Sequence, residues 1–214
     1  MFSNKSMAMT ITCAVALLLT VNGAVADAEA GDPLMVAIPD KDYEIGKFEV
    51  TQGEWRRIMG SGSIEYSSCG DNCPVEGVSW NDVQDFIKKL NARTGLKYRL
   101  PTGAEWEYAC YAGSKTRYCG GDDPDAVAWY DNNSNDQTHP VGQKQQNGYG
   151  LYDMSGNVGE WVQDRYDKDP DLRILRGGSW VNSKTYLVAS YRFTFAPGLR
   201  LITGSGFRLA RTLR

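Results

Sequence analysis

The sequence contains a single histidine, His139, and no run of Lys or Arg longer than two residues. One imidazole excludes metal centres built on several histidines. It leaves general acid–base chemistry resting on one loop residue beside Pro140, which reads as structural. Without a stripe of positive charge there is nothing to neutralise a phosphate backbone, so nucleic acid is not an expected partner. No Cys-x-x-Cys pair occurs, which argues against a four-cysteine zinc site. No Gly-x-Ser-x-Gly elbow surrounds a serine, so a Ser-His-Asp relay lacks its usual context. No repeat of 20–50 residues is present.

What is present begins with an export signature. Lys5 supplies a positive start, Ala8 to Val21 an apolar stretch, and Ala24-Val25-Ala26 a small-x-small cleavage pattern, with Ala28-Glu29-Ala30 as a second option. The apolar stretch is short for a membrane span and is broken by Thr10, Thr12 and Thr20. Residues 1–26 are therefore expected to be a cleaved signal peptide and 27–214 the mature domain, periplasmic or secreted, with no membrane span left. Removing Lys5 from 23 basic residues leaves 22 against 26 acidic, a net charge of −4.

Cysteine usage agrees with an oxidising compartment. Cys13 leaves with the signal, and Cys69, Cys73, Cys110 and Cys119 allow three pairings. The local pairing, Cys69–Cys73 and Cys110–Cys119, closes two short loops and is the one expected.

Three helix starts share one device. Thr51…Glu54, Ser79…Asp82 and Thr102…Glu105 each place a hydroxyl three residues before a carboxylate, which is the capping box. After the second, Val83, Phe86, Ile87 and Leu90 fall on one helical face, and Gly95 ends the helix. Gly113 is expected to stop the third. Strands are weakly signalled: Lys47–Val50, Tyr98–Leu100, Leu172–Leu175, Ser190–Phe195 and Gly206–Ala210. Gly120–Asn147 is polar and reads as a long loop, a candidate for binding. The fold class is α+β.

The stretch GLYDMSGNVGEW, Gly150–Trp161, has no clean helical or strand period. A phosphate cradle would want few acids, and Asp153 and Glu160 would repel a phosphate. A hard cation suits carboxylates and curled backbone carbonyls better, although the spacing is not that of an EF-hand. The alternative is that both acids accept backbone N–H groups in turns.

Six ordered segments carry a resemblance that covers the mature chain: FEVTQGEW (Phe48–Trp55), PVEGVSWNDVQDFIKKLN (Pro74–Asn91), YRLPTGAEWEYAC (Tyr98–Cys110), NGYGLYDMSGNVGEW (Asn147–Trp161), RGGSW (Arg176–Trp180) and GFRLAR (Gly206–Arg211). Together they resemble the formylglycine-generating enzyme, or sulfatase-modifying factor, family. The resemblance implies a C-type-lectin-like fold with little regular structure and structural calcium. The parent activity it implies is copper-dependent oxidation of a sulfatase cysteine to formylglycine. It places a calcium site on the Asp153 side chain, the Gly156 and Val158 carbonyls and the Glu160 side chain. A second calcium site of the family would fall near Trp129–Asp136, where the spacing differs, and is not assigned.

In active members the Gly-Gly-Ser-aromatic motif is followed by two cysteines that bind copper(I), a soft metal that prefers sulfur. Counted on from Gly177-Gly178-Ser179-Trp180, those positions hold Asn182 and Leu187. No copper and no catalytic residue are expected. The ergothioneine-type relatives carry iron on histidines in an added domain, which this chain lacks. Glu105 and Glu107 read as structural, and Trp55, Trp80, Trp106, Trp161 and Trp180 as mostly core. Trp180, Asn182, Tyr191 and Arg192 border what would be the peptide groove. Two functions remain in view: a non-catalytic accessory or regulatory protein with a protein or peptide partner, as some exported relatives are, or an oxidoreductase with altered chemistry.

Overall fold

Each of the three long helices begins where its capping box lies. In the computed structural model, which describes residues 32–60, 69–201 and 204–213, α1 spans Gln52–Met59, α2 Trp80–Thr94 and α3 Gly103–Tyr111. At Thr51, Ser79 and Thr102 the hydroxyl accepts from the third helical N–H, while the carboxylate of Glu54, Asp82 or Glu105 accepts from the cap residue's own N–H. Gly95 closes α2 in the left-handed conformation, as expected. The third helix ends one residue earlier than its glycine: Ala112, at φ 46°, is the cap, and Gly113 follows it. A single turn, α4 (Pro124–Val127), interrupts the long polar loop.

The strands form two four-stranded sheets. One orders β1 (Met35–Ala37), β2 (Tyr43–Gly46), β8 (Ala210–Thr212) and β3 (Tyr98–Arg99), all antiparallel. The other orders β6 (Phe193–Phe195), β5 (Asp169–Arg176), β4 (Gly159–Tyr166) and β7 (Ser205–Gly206), with β4 and β7 parallel. Several sequence expectations are corrected here. Lys47–Val50 is not a strand: the ladder occupies Tyr43–Gly46, and the next residues lead into the Thr51 cap, with Val50 N–H donating to Phe207 O. Gly206–Ala210 is split between β7 and β8. Leu172–Leu175 lengthens to Asp169–Arg176, and Ser190–Phe195 shortens to Phe193–Phe195. β1 and β4 were not foreseen. All four residues of β2 and the first four of β4 are buried, so neither shows the alternation that marks a half-exposed strand.

The core lies in three clusters. Trp55 stacks on Phe86 at 5.2 Å, and Phe207 meets both edge-on, which ties α1 and α2 to the segment before β8. Trp106 and Ala109 of α3 pack with Ile45, Leu151, Met154, Val162 and Ile174. Tyr118, Val127, Ala128, Tyr130 and Leu187 form the third, under the long loop. Of the five motif tryptophans, Trp55, Trp106 and Trp161 are core, while Trp80 and Trp180 are half-buried. Cys69–Cys73 and Cys110–Cys119 are bonded, the pairing expected. No helix among the described residues is long and apolar enough to cross a membrane. The expected signal segment, 1–26, lies outside the described residues.

Candidate functional site

Asp153 enters its loop at φ 57°, and Gly156 and Asn157 follow at 79° and 57°. Gly156 is dictated by space as well: a Cβ there would meet the Trp129 carbonyl oxygen at 2.2 Å. This curl turns Asp153 inward, where Oδ2 accepts from Gly142 N–H at 2.7 Å and Oδ1 is buried without a hydrogen-bond partner. Glu160, at the start of β4, is fully buried. Its Oε1 accepts from Arg208 Nη2 at 2.6 Å, and its Oε2 accepts from Arg208 Nε at 2.7 Å and Trp106 Nε1 at 2.6 Å.

The sequence reading missed two members of this cluster. Glu49 Oε1 accepts from Val158 N–H at 3.0 Å and its Oε2 accepts from Asn157 Nδ2 at 2.7 Å. Arg208, also fully buried, donates further to the Gly46 and Tyr152 carbonyls. Three buried carboxylates therefore face one guanidinium. Burial, then Asp153 and Glu160, push the Glu49 carboxyl well above the usual range. Burial likewise lifts Asp153 to about 6, despite the Gly142 hydrogen bond and Arg208. Burial works against the Arg208 charge, but Glu160, Glu49 and Asp153 outweigh it.

This arrangement fits a divalent cation in two respects. Asp153 Oδ1 is an orphaned buried oxygen, and the local charge is short of positive partners. Glu160 is already bonded on both oxygens, so it would reach a cation only with the remaining lone pairs. Among the described residues no cluster of three His, Cys, Asp or Glu side chains forms a metal cage by itself. Backbone carbonyls would have to complete the ligand set.

The two positions where copper ligands would stand are differently employed. The Asn182 Oδ1 accepts from Ser179 N–H at 2.8 Å and Ser179 Oγ at 3.0 Å, closing the turn after the Gly-Gly-Ser segment. Leu187 is fully buried in the third apolar cluster, and its carbonyl accepts from Ser155 Oγ.

The four candidate groove residues fall into separate networks. Trp180 Nε1 donates to Glu76 Oε2 at 2.9 Å, and the same oxygen accepts from Gly204 N–H. Glu76, not foreseen, also accepts from Thr138 Oγ1. Asn182 sits beside this knot. Tyr191 belongs instead to an aromatic row: it meets Tyr186 at 5.1 Å and Phe193 at 4.8 Å, and Phe193 stacks on Phe195. Arg192 faces the other way, 3.8 Å from Glu107, which also holds the buried Arg176 at 2.5 Å. Glu105 caps α3 and binds Arg99 through both oxygens. His139 stacks on Trp129 with ring centroids 3.7 Å apart, and its Nε2 lies 2.7 Å from the Ser134 carbonyl. Both glutamates and the histidine are thus engaged structurally.

A loop-rich α+β chain of short sheets, whose capped helices flank a buried acid–arginine cluster, defines the class: a C-type-lectin-like fold of the formylglycine-generating type. The family described as the sulfatase-modifying factor enzyme 1-like domain matches residues 19–213, and the chain belongs to it. The chain is 34% identical to a protein named chaperone protein LppX of Paenibacillus barcinonensis, over 80% of each chain. It is 33% identical to the inactive C-alpha-formylglycine-generating enzyme 2 of Bos taurus, over 63% of this chain but only 46% of that one. Among solved structures, Treponema denticola variable protein 1 superposes with a TM-score of 0.73 at 28% identity, covering 85% of this chain and 92% of that one.

Proposed function

We propose that the protein is an exported, non-catalytic member of this family that acts as an accessory or regulatory factor by binding a protein or peptide partner. The observation that carries this reading is Leu187, fully buried among Tyr118, Val127, Ala128 and Tyr130, with Asn182 committed to Ser179. Neither side chain offers the thiolate that a copper(I) site needs. Relatives named as a chaperone and as an inactive enzyme support an accessory role. The disulfides and the apolar N-terminal stretch support export to the periplasm or beyond. The half-buried row Tyr191, Phe193 and Phe195, which runs onto the edge strand β6, offers a surface on which a partner would bury aromatic area. Calcium, held by the Asp153 and Glu160 carboxylates with the Gly156 and Val158 carbonyls, would supply the positive charge that the buried cluster lacks.

Two measurements on the purified mature protein test this. A Cys-x-Pro-x-Arg peptide offered with copper and oxygen should remain unconverted, and metal analysis should find calcium without copper or iron. Chelation should lower the melting temperature by about 5–10 °C, given about 2.7 kcal/mol of linkage at a hundredfold excess over Kd. Asp153→Asn should mimic that loss. Formylglycine formation, or stoichiometric copper or iron, would favour the oxidoreductase reading. An unchanged melting temperature with no co-purified calcium would remove the metal assignment alone.

A further inference from the structure

The loop closed by Cys110–Cys119 builds one wall of a cavity of about 640 Å³. The opposite sides are Tyr108 and Tyr111 of α3, Tyr149 and Val188. That volume is in the range of small-molecule sites. The wall is fixed from several directions. Ser114 N–H donates to Tyr111 O at 2.8 Å, Thr116 Oγ1 to Tyr118 O at 2.8 Å, and Ala189 N–H to Arg117 O at 3.3 Å. A ligand would therefore find the pocket formed rather than have to order it.

Its chemistry departs from that of the rest of the chain. The protein carries net negative charge, yet the lining holds Lys115 and Arg117 and no Asp or Glu. Neither cation forms a salt bridge among the described residues, and a third, Lys41, sits 4.3 Å from the Tyr108 ring centroid. Of the nearby acids, Asp122 accepts from the Arg117 backbone N–H, Glu107 holds Arg176, and Asp40 lies near enough to Tyr149 to act on its hydroxyl, but none of the three lines the cavity. Tyr108 and Tyr149 contact each other, with ring centroids 6.1 Å apart and planes inclined at 38°, and together they give the cavity an aromatic side. Arg117 also stands 5.6 Å from the Tyr118 ring centroid. An aromatic wall binds a planar ring, and cations without an acid partner bind a charged oxygen group.

We propose that this cavity binds a small aromatic oxyanion, a planar ring bearing one phosphate or carboxylate group. The ring lies against Tyr108 and Tyr149, and the anion faces Lys115 and Arg117. The lining includes no member of the buried acid cluster and neither Asn182 nor Leu187, although Val188 follows Leu187 directly; the binding test reads affinity for a small anion and not formylglycine formation, so the accessory reading stands or falls separately.

The test uses phenyl phosphate with the mature protein, followed by calorimetry and by amide shifts of residues 113–117. The expected dissociation constant is below about 1 mM, on fragment-like efficiency. Phenol and inorganic phosphate should each bind at least tenfold more weakly, and the affinity should fall with added salt. Lys115→Gln with Arg117→Gln should cost at least tenfold, as should Tyr149→Ala, in proteins whose melting temperatures show that they are folded. Equal binding of phenol, equal binding by the charge-neutral double variant, or no binding by the wild type at 10 mM (about ten times the expected constant) would each overturn the assignment. A variant that fails to fold is replaced by Lys115→Glu, judged by the same tenfold criterion.

Discussion

Replacing Arg208 by Met tests whether the buried cluster is held by the one cation buried within it. The guanidinium is fully buried, makes a two-pronged contact with Glu160, and donates to the Gly46 and Tyr152 carbonyls. Removing one partner of a buried ion pair costs about 3–5 kcal/mol, because the other charge is left uncompensated. Each carbonyl stripped of its donor adds about 1–3 kcal/mol before relaxation. The contributions overlap, so a net loss of about 5 kcal/mol is expected, against a typical total of about 5–15 kcal/mol. With a urea slope of about 2 kcal/mol/M, the midpoint should fall by about 2.5 M. The measurement is made with chelator present, so that metal linkage does not enter. Glu160→Gln added to Arg208→Met removes the stranded charge while leaving an oxygen for Trp106 Nε1, and should recover about 2 kcal/mol. If Arg208→Met alone does not fold, a cooperative transition in the double variant carries the same information. A midpoint shift below about 0.5 M, or a double variant costing the sum of both singles, would refute the reasoning.

Three further outcomes are expected. Alkylation of the mature protein without reductant should find no free thiol, and Cys110→Ala with Cys119→Ala should cost about 2.6 kcal/mol by the loop-entropy argument for a nine-residue separation. Burial holds the Glu76 carboxyl above its usual 4.5, against hydrogen bonds from Trp180, Gly204 and Thr138. A raised folded pKa gives stability that is complete below pH 4.5 and is lost as pH rises through the folded value, so Glu76→Gln should flatten the decline above pH 4.5 in denaturant titrations, and identical slopes would count against it. Asn182→Cys with Leu187→Cys should bind copper(I) in a chelator competition without turning over peptide, at a stability cost of about 2 kcal/mol for the buried leucine and about 1 kcal/mol for each Asn182 hydrogen bond. Failure to bind copper would show that the backbone no longer presents the two positions to one ion.

What the sequence disclosed and what it concealed divide by the range of the interaction. A capping box is complete within four residues, so Thr51, Ser79 and Thr102 announce their helices without tertiary help. The disulfides join cysteines only four and nine positions apart in sequence and were legible for the same reason. Strands were harder, because a ladder is a property of two segments, and β2 and the first half of β4 are buried on both faces. Asp153 and Glu160 were singled out as paired acids in a curled loop, and both lie in the buried cluster. Glu49 and Arg208 were not singled out, although they stand inside FEVTQGEW and GFRLAR. Arg208 shows why. Phe207 and Leu209 flank it, and alternation tells only that it faces away from them. In a sheet with one wet face that would mean solvent. Here the other side of the segment is occupied by Glu160, Gly46 and Tyr152, up to 162 residues away in sequence. Periodicity fixes the direction of a side chain, not the dielectric it meets. An arginine between two core residues is therefore ambiguous until its acidic partner is placed, and three carboxylates around one guanidinium could be counted only in the folded chain.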